Sequence, residues 1–210
     1  MRVRVLPLLA ALLLPAGTAR AQAPDPAYAD AALTRLAQRL AADGGLPDSL
    51  RHLTPAQLID KTAMSALPLL DDAGVVGFMR LLARSLHALP EPACGAYLTG
   101  GSRGSDPEEM LPVLPPPLVD DWIGLLEALV RARAGTRVRG TAATAEELRG
   151  WNAGLPKRLN AEDRDRLITI AQNPPPSQGD ACWAIRIIMD DLAAAPAATL
   201  APITRTMFGQ

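Results

Sequence analysis

Apolar side chains recur at steps of three and four residues, in runs cut short by glycine and proline, and this pattern constrains the 210-residue chain most. That period gathers them on one face of a helix, whereas a half-buried strand needs strict alternation. Leu33, Leu36 and Leu40 form the first run, which Asp43-Gly44-Gly45 stops. Thr54-Pro55 reads as an N-cap followed by proline at the first helical position, opening a helix that Pro68 ends or bends. Asp72 is expected to cap a helix striped by Val75, Met79, Leu82, Leu86 and Leu89. Pro90 and Pro92 end it, and residues 94–98 add a short turn.

The second half continues in the same style. Leu118, Trp122, Leu125 and Leu129 share a face of a helix that Gly135 terminates. Thr144 with Glu147 fits a capping box, and Asn160 caps a helix carrying Leu167, Ile168 and Ile170. Pro174-Pro175-Pro176 bars its continuation. Asp180 is expected to cap a long helix with Cys182, Ile185, Met189 and Leu192 on one stripe, and a short last helix runs from Ala197 towards Met207. No segment sustains period-two alternation between hairpin turns. The expectation is an all-α protein of seven to eight helices in an irregular bundle.

The N-terminus carries an address. Arg2 and Arg4 precede a largely apolar run from Val5 to Leu14, and overlapping small-residue sites end at Ala21 and Ala23. A basic start, a short apolar stretch and an A-x-A site describe a secretory signal peptide. The run is too short for the roughly 20 apolar residues of a membrane span. Cleavage after Ala21 is preferred over Ala23, which would place Pro24 at the scissile bond. Removing residues 1–21 takes Arg2, Arg4 and Arg20 from the 21 basic residues and none of the 22 acidic ones, so net charge becomes −4. That balance gives no electrostatic reason to expect nucleic-acid binding. Heavy Ala, Arg, Pro and Leu usage, with only Lys61 and Lys157 as lysines, suggests a high-GC bacterial genome. The expected location is the periplasm of a Gram-negative bacterium.

Residues 22–99 and 118–210 read as two helical halves joined by a Gly/Pro-rich linker at 100–117, forming one compact domain rather than two independent ones. A faint echo links them at an offset of 106: Arg80, Leu86, Ala88 and Pro90 recur as Arg186, Leu192, Ala194 and Pro196, and Leu53 meets Leu159. Two similar halves are one reading of it, and chance in an Ala/Leu-rich helical chain is the other.

Cys94 and Cys182 are the only cysteines. An exported chain with an even number usually oxidises them, and Cys182 sits on an apolar stripe, so a disulfide stapling the two halves is expected. A reactive Cys182 thiol beside His52 or His87 is the competing reading. Gly100-Gly101-Ser102-Arg103-Gly104 matches the nucleophile-elbow pattern but lacks the strand before it, and both histidines precede the serine. Neither Asp48 with His52 nor His87 with Glu91 has a metal-binding spacing, and no phosphate or dinucleotide fingerprint occurs, so neither metal nor cofactor is expected.

Arg131, Arg133, Arg137 and Arg139 form the densest run of like charge, and Trp151 lies in a turn-like setting. A run at a helix end is most simply a solvated terminus complementing the dipole, but it also offers a docking patch for an acidic partner or anionic lipid headgroups, with Trp151 as a separate candidate anchor for a partner. The expectation is a non-enzymatic interaction module that binds another periplasmic or exported protein as an inhibitor, immunity-type protein or accessory factor. An envelope hydrolase without a readable motif and a carrier of a small apolar ligand stay open.

Overall fold

The computed structural model describes residues 23–42, 57, 65–99, 110–135, 140–173 and 177–208. The expected signal peptide and its cleavage site, the helix opening at Thr54-Pro55, His52, the Gly-Ser motif and Arg137 with Arg139 lie outside these. Among the described residues there are eight α-helices and no strand. They are α1 (Pro26–Ala42), α2 (Asp72–Ala88), α3 (Glu91–Thr99), α4 (Pro116–Ala134), α5 (Ala145–Arg158), α6 (Ala161–Gln172), α7 (Gln178–Ala194) and α8 (Ala197–Phe208). The all-α bundle is as expected. None of these helices is long and apolar enough to cross a membrane.

Two caps differ from expectation by a few residues. Asp71, not Asp72, caps α2, its carboxylate accepting from the Gly74 N–H at 2.7 Å. Ser177, not Asp180, caps α7, and Asp180 takes the third helical position and accepts from the Ser177 hydroxyl. In both places neighbouring oxygen-bearing side chains compete, and the one whose backbone is extended wins. Thr144–Glu147 forms the expected capping box and Asn160 caps α6. The residues expected as one turn near Cys94 form the nine-residue helix α3.

The proline-rich end of the 100–117 linker is not an extended spacer. Leu111–Val113 is a 3₁₀ turn with Leu111 and Leu114 fully buried, and Pro116 starts α4 with its fixed φ already helical. A matching 3₁₀ turn, Leu67–Leu69, precedes α2. The α4 stripe is also rotated from the expected one. Val119, Trp122, Ile123, Leu126, Leu129 and Val130 are buried, while Leu118 and Leu125 are half-buried.

The 106-residue echo coincides with helix boundaries. α2 and α7 each have 17 residues and begin at positions 72 and 178, and the helices that follow them begin at 91 and 197. The packing is reciprocal. α2 lies against α7, α3 packs on α7, and α8 packs on α2, so each long helix is covered by the short helix that follows the other. α1 lies across α4 and the Leu111 turn. Phe78 meets Trp122 and Phe208 edge-on, with ring centroids 6.1 and 5.3 Å apart, joining α2, α4 and α8. The Trp122 indole N–H donates to Ser85 Oγ at 2.8 Å, and Ser85 donates in turn to the Leu81 carbonyl, so both buried polar groups are satisfied.

The disulfide joins Cys94 of α3 to Cys182 of α7, with Cα atoms 4.9 Å apart and both residues essentially inaccessible to solvent. Gly95 lets the helices come that close, because a Cβ there would collide with the Gln178 carbonyl at the start of α7. One turn further along the same face of α7 the guanidinium of Arg186 donates to the Leu86 and Leu89 carbonyls, both at 2.9 Å, capping the end of α2. Three contacts thus hold α7. By contrast, α5 buries only Leu155 and α6 buries no residue fully. The stripe expected to sink α6 leaves Leu167 and Ile170 half-buried and Ile168 42% exposed.

Replacing Cys94 and Cys182 together by alanine removes a cross-link that closes a span of 88 residues. The expected loss is about 2–5 kcal/mol, measured by urea unfolding of the oxidised parent and the variant. A loss under about 1 kcal/mol, below the usual range for a native disulfide, would show that packing alone holds α3 on α7.

Candidate functional site

The reciprocal packing of α2 and α7 breaks down at one place. Arg80 and Arg186 occupy equivalent positions at the 106-residue offset, and each reaches carbonyls at the C-terminal end of the other long helix. Arg186 does so with two bonds of 2.9 Å from a half-buried position. Arg80 makes one long contact, 3.4 Å to the Ala193 carbonyl, from the surface. The surrounding residues explain the difference. Near Arg186 the chain has Trp183 and Met189, and at the equivalent positions near Arg80 it has Gly77 and Ala83. A Cβ added at Gly77 would meet nothing within 4 Å. These small residues line an open groove of about 530 Å³ between α2 and α7, whose other walls are Arg80, Arg84, His87, Asp190 and Ala193.

Arg80, Arg84 and His87 stand at i, i+4 and i+7 on α2, so their heads line one wall. Arg84 pairs with Asp121 of α4 at 2.9 Å, both partners about half-exposed. Such an exposed pair is worth about 0–1 kcal/mol, so an incoming carboxylate displaces it cheaply. Arg80 finds no carboxylate among the described residues. The His87 Nε2 faces both carboxylate oxygens of Asp190, at 2.8 and 3.0 Å. The groove therefore holds two weakly committed guanidinium groups, a histidine tied to an acid, and a floor of small residues. This suits an anionic side chain or a short acidic segment: guanidinium forks match carboxylates, and the small floor lets the backbone approach.

A histidine held by an aspartate also orients a general base. The hydroxyl next to it in sequence, Ser85, is buried and engaged with Leu81 and Trp122, and both cysteines are bonded to each other. Among the described residues no three His, Cys, Asp or Glu are placed to share a metal ion.

The arginine-rich end of α4 has a different setting. Arg131 donates to Glu127 at 2.8 Å within the helix, and Glu127 also accepts from Arg39 of α1 at 3.0 Å. Arg133 is half-buried. Glu127 thus ties the α4 end to α1, and its two arginines, Arg131 foremost, hold its carboxyl below the ordinary value of 4.5. Trp151 is half-buried, packs against the core, and carries the Arg158 guanidinium 5.3 Å above its ring. Arg158 in turn makes a two-pronged bond to Asp191 of α7, both arms 2.8 Å. Trp183 is likewise covered, by Arg166 at 4.3 Å. The structure does not bring the Arg131 end and Trp151 together with the groove. The basic stripe itself was readable as Arg80, Arg84 and His87 at helical spacing. Its partner Asp190 lies 103 residues away and leaves no local trace.

No protein-family model, curated protein or solved structure matches this chain.

The Glu127 cluster makes a prediction about pH. A carboxyl with a lowered pKa stabilises the fold above its unfolded value and loses that contribution as pH falls through the folded one. Glu127→Gln is expected to flatten the acid limb of the stability profile below pH 4.5, the ordinary value of that group. Thermal unfolding of parent and variant between neutral and acid pH measures it. Parallel profiles would remove Glu127 as the titrating tie between α1 and α4.

Proposed function

We propose that this protein is exported to the bacterial periplasm, oxidised there, and acts without catalysis by docking an acidic segment of another exported protein in the groove between α2 and α7. The observation that carries the reading is the basic wall of Arg80, Arg84 and His87 beside the small residues Gly77, Ala83 and Ala193. The buried Cys94–Cys182 bond supports the address, because such bonds persist in oxidising compartments. The groove is preferred to the end of α4, where Arg131 is already held by Glu127.

The test is capture from the native cell envelope with the mature, oxidised protein as bait. Arg80→Glu with Arg84→Glu reverses two exposed charges at little cost to the fold. It is expected to cut recovery of the main acidic partner by about tenfold or more, since each lost charge-assisted contact is worth about 1.5–3 kcal/mol. Recovery should also fall with salt. Equal recovery by the double variant would place the partner elsewhere.

A further inference from the structure

At the opposite end of α2 the chain buries a guanidinium. Arg205 of α8 has a side chain 2% exposed, in a helix that the sequence marks only as short and apolar. Its Nη1 donates to the Asp72 carboxylate at 2.6 Å and to the Thr141 carbonyl at 3.4 Å, and its Nη2 donates to the Leu70 carbonyl at 2.9 Å. Gly140 is packed so closely on the guanidinium that a Cβ there would overlap it. An arginine has five N–H donors, and these contacts use three. Nε is buried and has no partner among the described residues. Among the described residues the only acid on it, Asp72, is 67% exposed and so keeps most of its charge in solvent. An unpaired donor of a buried cation is costly, and native structures seldom keep one without a reason.

Arg205 forms part of the wall of a cavity of about 530 Å³, distinct from the groove. The other walls are largely apolar: Leu69 and Leu70 from the turn before α2, and Ala128 and Ala132 from α4. Asp71, at the rim, is already committed to capping Gly74. One deeply held cation with spare donors beside an apolar chamber is a pairing of chemistries that few molecules match.

We propose that this cavity is a binding site for a small organic carboxylate with a compact apolar body, its carboxylate taken by Arg205 and its hydrocarbon part by Leu69, Leu70, Ala128 and Ala132. A carboxylate presents two acceptors that fit the guanidinium fork, and the wall residues bury methylene groups. The proposal does not depend on the groove reading, and either can fail alone.

Hexanoate is the probe and 1-hexanol its neutral control, titrated into oxidised full-length mature protein and followed by methyl NMR. Hexanoate is expected to shift the Leu69, Leu70, Ala128 and Ala132 methyl groups saturably, with an affinity about tenfold or more above that of hexanol. Substituting Arg205 risks the fold, because it also holds Leu70 and Thr141. Ala128→Phe fills the chamber from an exposed position instead. It should weaken hexanoate by about tenfold while thermal unfolding stays close to the parent's. Equal binding of hexanol, no saturable shifts at these methyl groups, or undiminished hexanoate binding by Ala128→Phe would each overturn the proposal.

Discussion

The contact between α3 and α7 fixes the rest of the molecule. The Cys94–Cys182 bond, the absence of a side chain at Gly95 and the Arg186 cap on α2 act at three points along α7. They hold that helix against both helices of the first reciprocal unit. α5 and α6 then rest on α7 through half-buried surface and the Arg158–Asp191 bond, with little core of their own. Loosening α7 would therefore undo the α5–α6 layer and separate the two walls of the groove in one event. A disulfide acts mainly by restricting the unfolded chain, so its placement at this shared element is an economical use of one cross-link.

The two long helices are near-equivalents in length, start and neighbours, and the departures from equivalence are where function is sought. At the positions equivalent to Gly77 and Ala83, α7 carries the larger Trp183 and Met189, and Arg186 is a half-buried structural tie. Gly77 and Ala83 leave the same region open around Arg80, which keeps its charge at the surface. One arginine position thus has two fates, decided by the volume of its neighbours. The result is a solvent-open groove with two arginines and the His87–Asp190 pair on its walls.

The helical class, the helix count, the buried stripes of α2 and α7 and the disulfide all followed from spacing and from cysteine number. Helix starts were less exact. Asp71 and Asp72 are adjacent, and sequence alone does not say which backbone is extended. Ser177 and Asp180 pose the same ambiguity, since both ends of a reciprocal cap carry acceptor oxygens. The prolines at 112–117 suggested a stiff spacer, but Leu111 and Leu114 between and beside them are buried, which turns the segment into core. The site was the least readable part. It depends on what is missing at Gly77 and Ala83 and on Asp190 arriving from the other half. Arg205 was hidden for a related reason: a cation near a helix C-terminus ordinarily marks a solvated end, and its partners come from residues 70, 72 and 141.

The claim that the α2–α7 groove accepts an acidic segment is tested most directly by backbone NMR of the oxidised mature protein titrated with a short Glu/Asp-rich peptide. Parent protein and Gly77→Trp are compared, the variant carrying in α2 the residue found at the equivalent position of α7. The predicted result is saturable, salt-sensitive shifts at Ala83 and Ala193 in the parent and their absence in the variant. Shifts confined to the Arg131 end of α4, or equal in the two proteins, would contradict it.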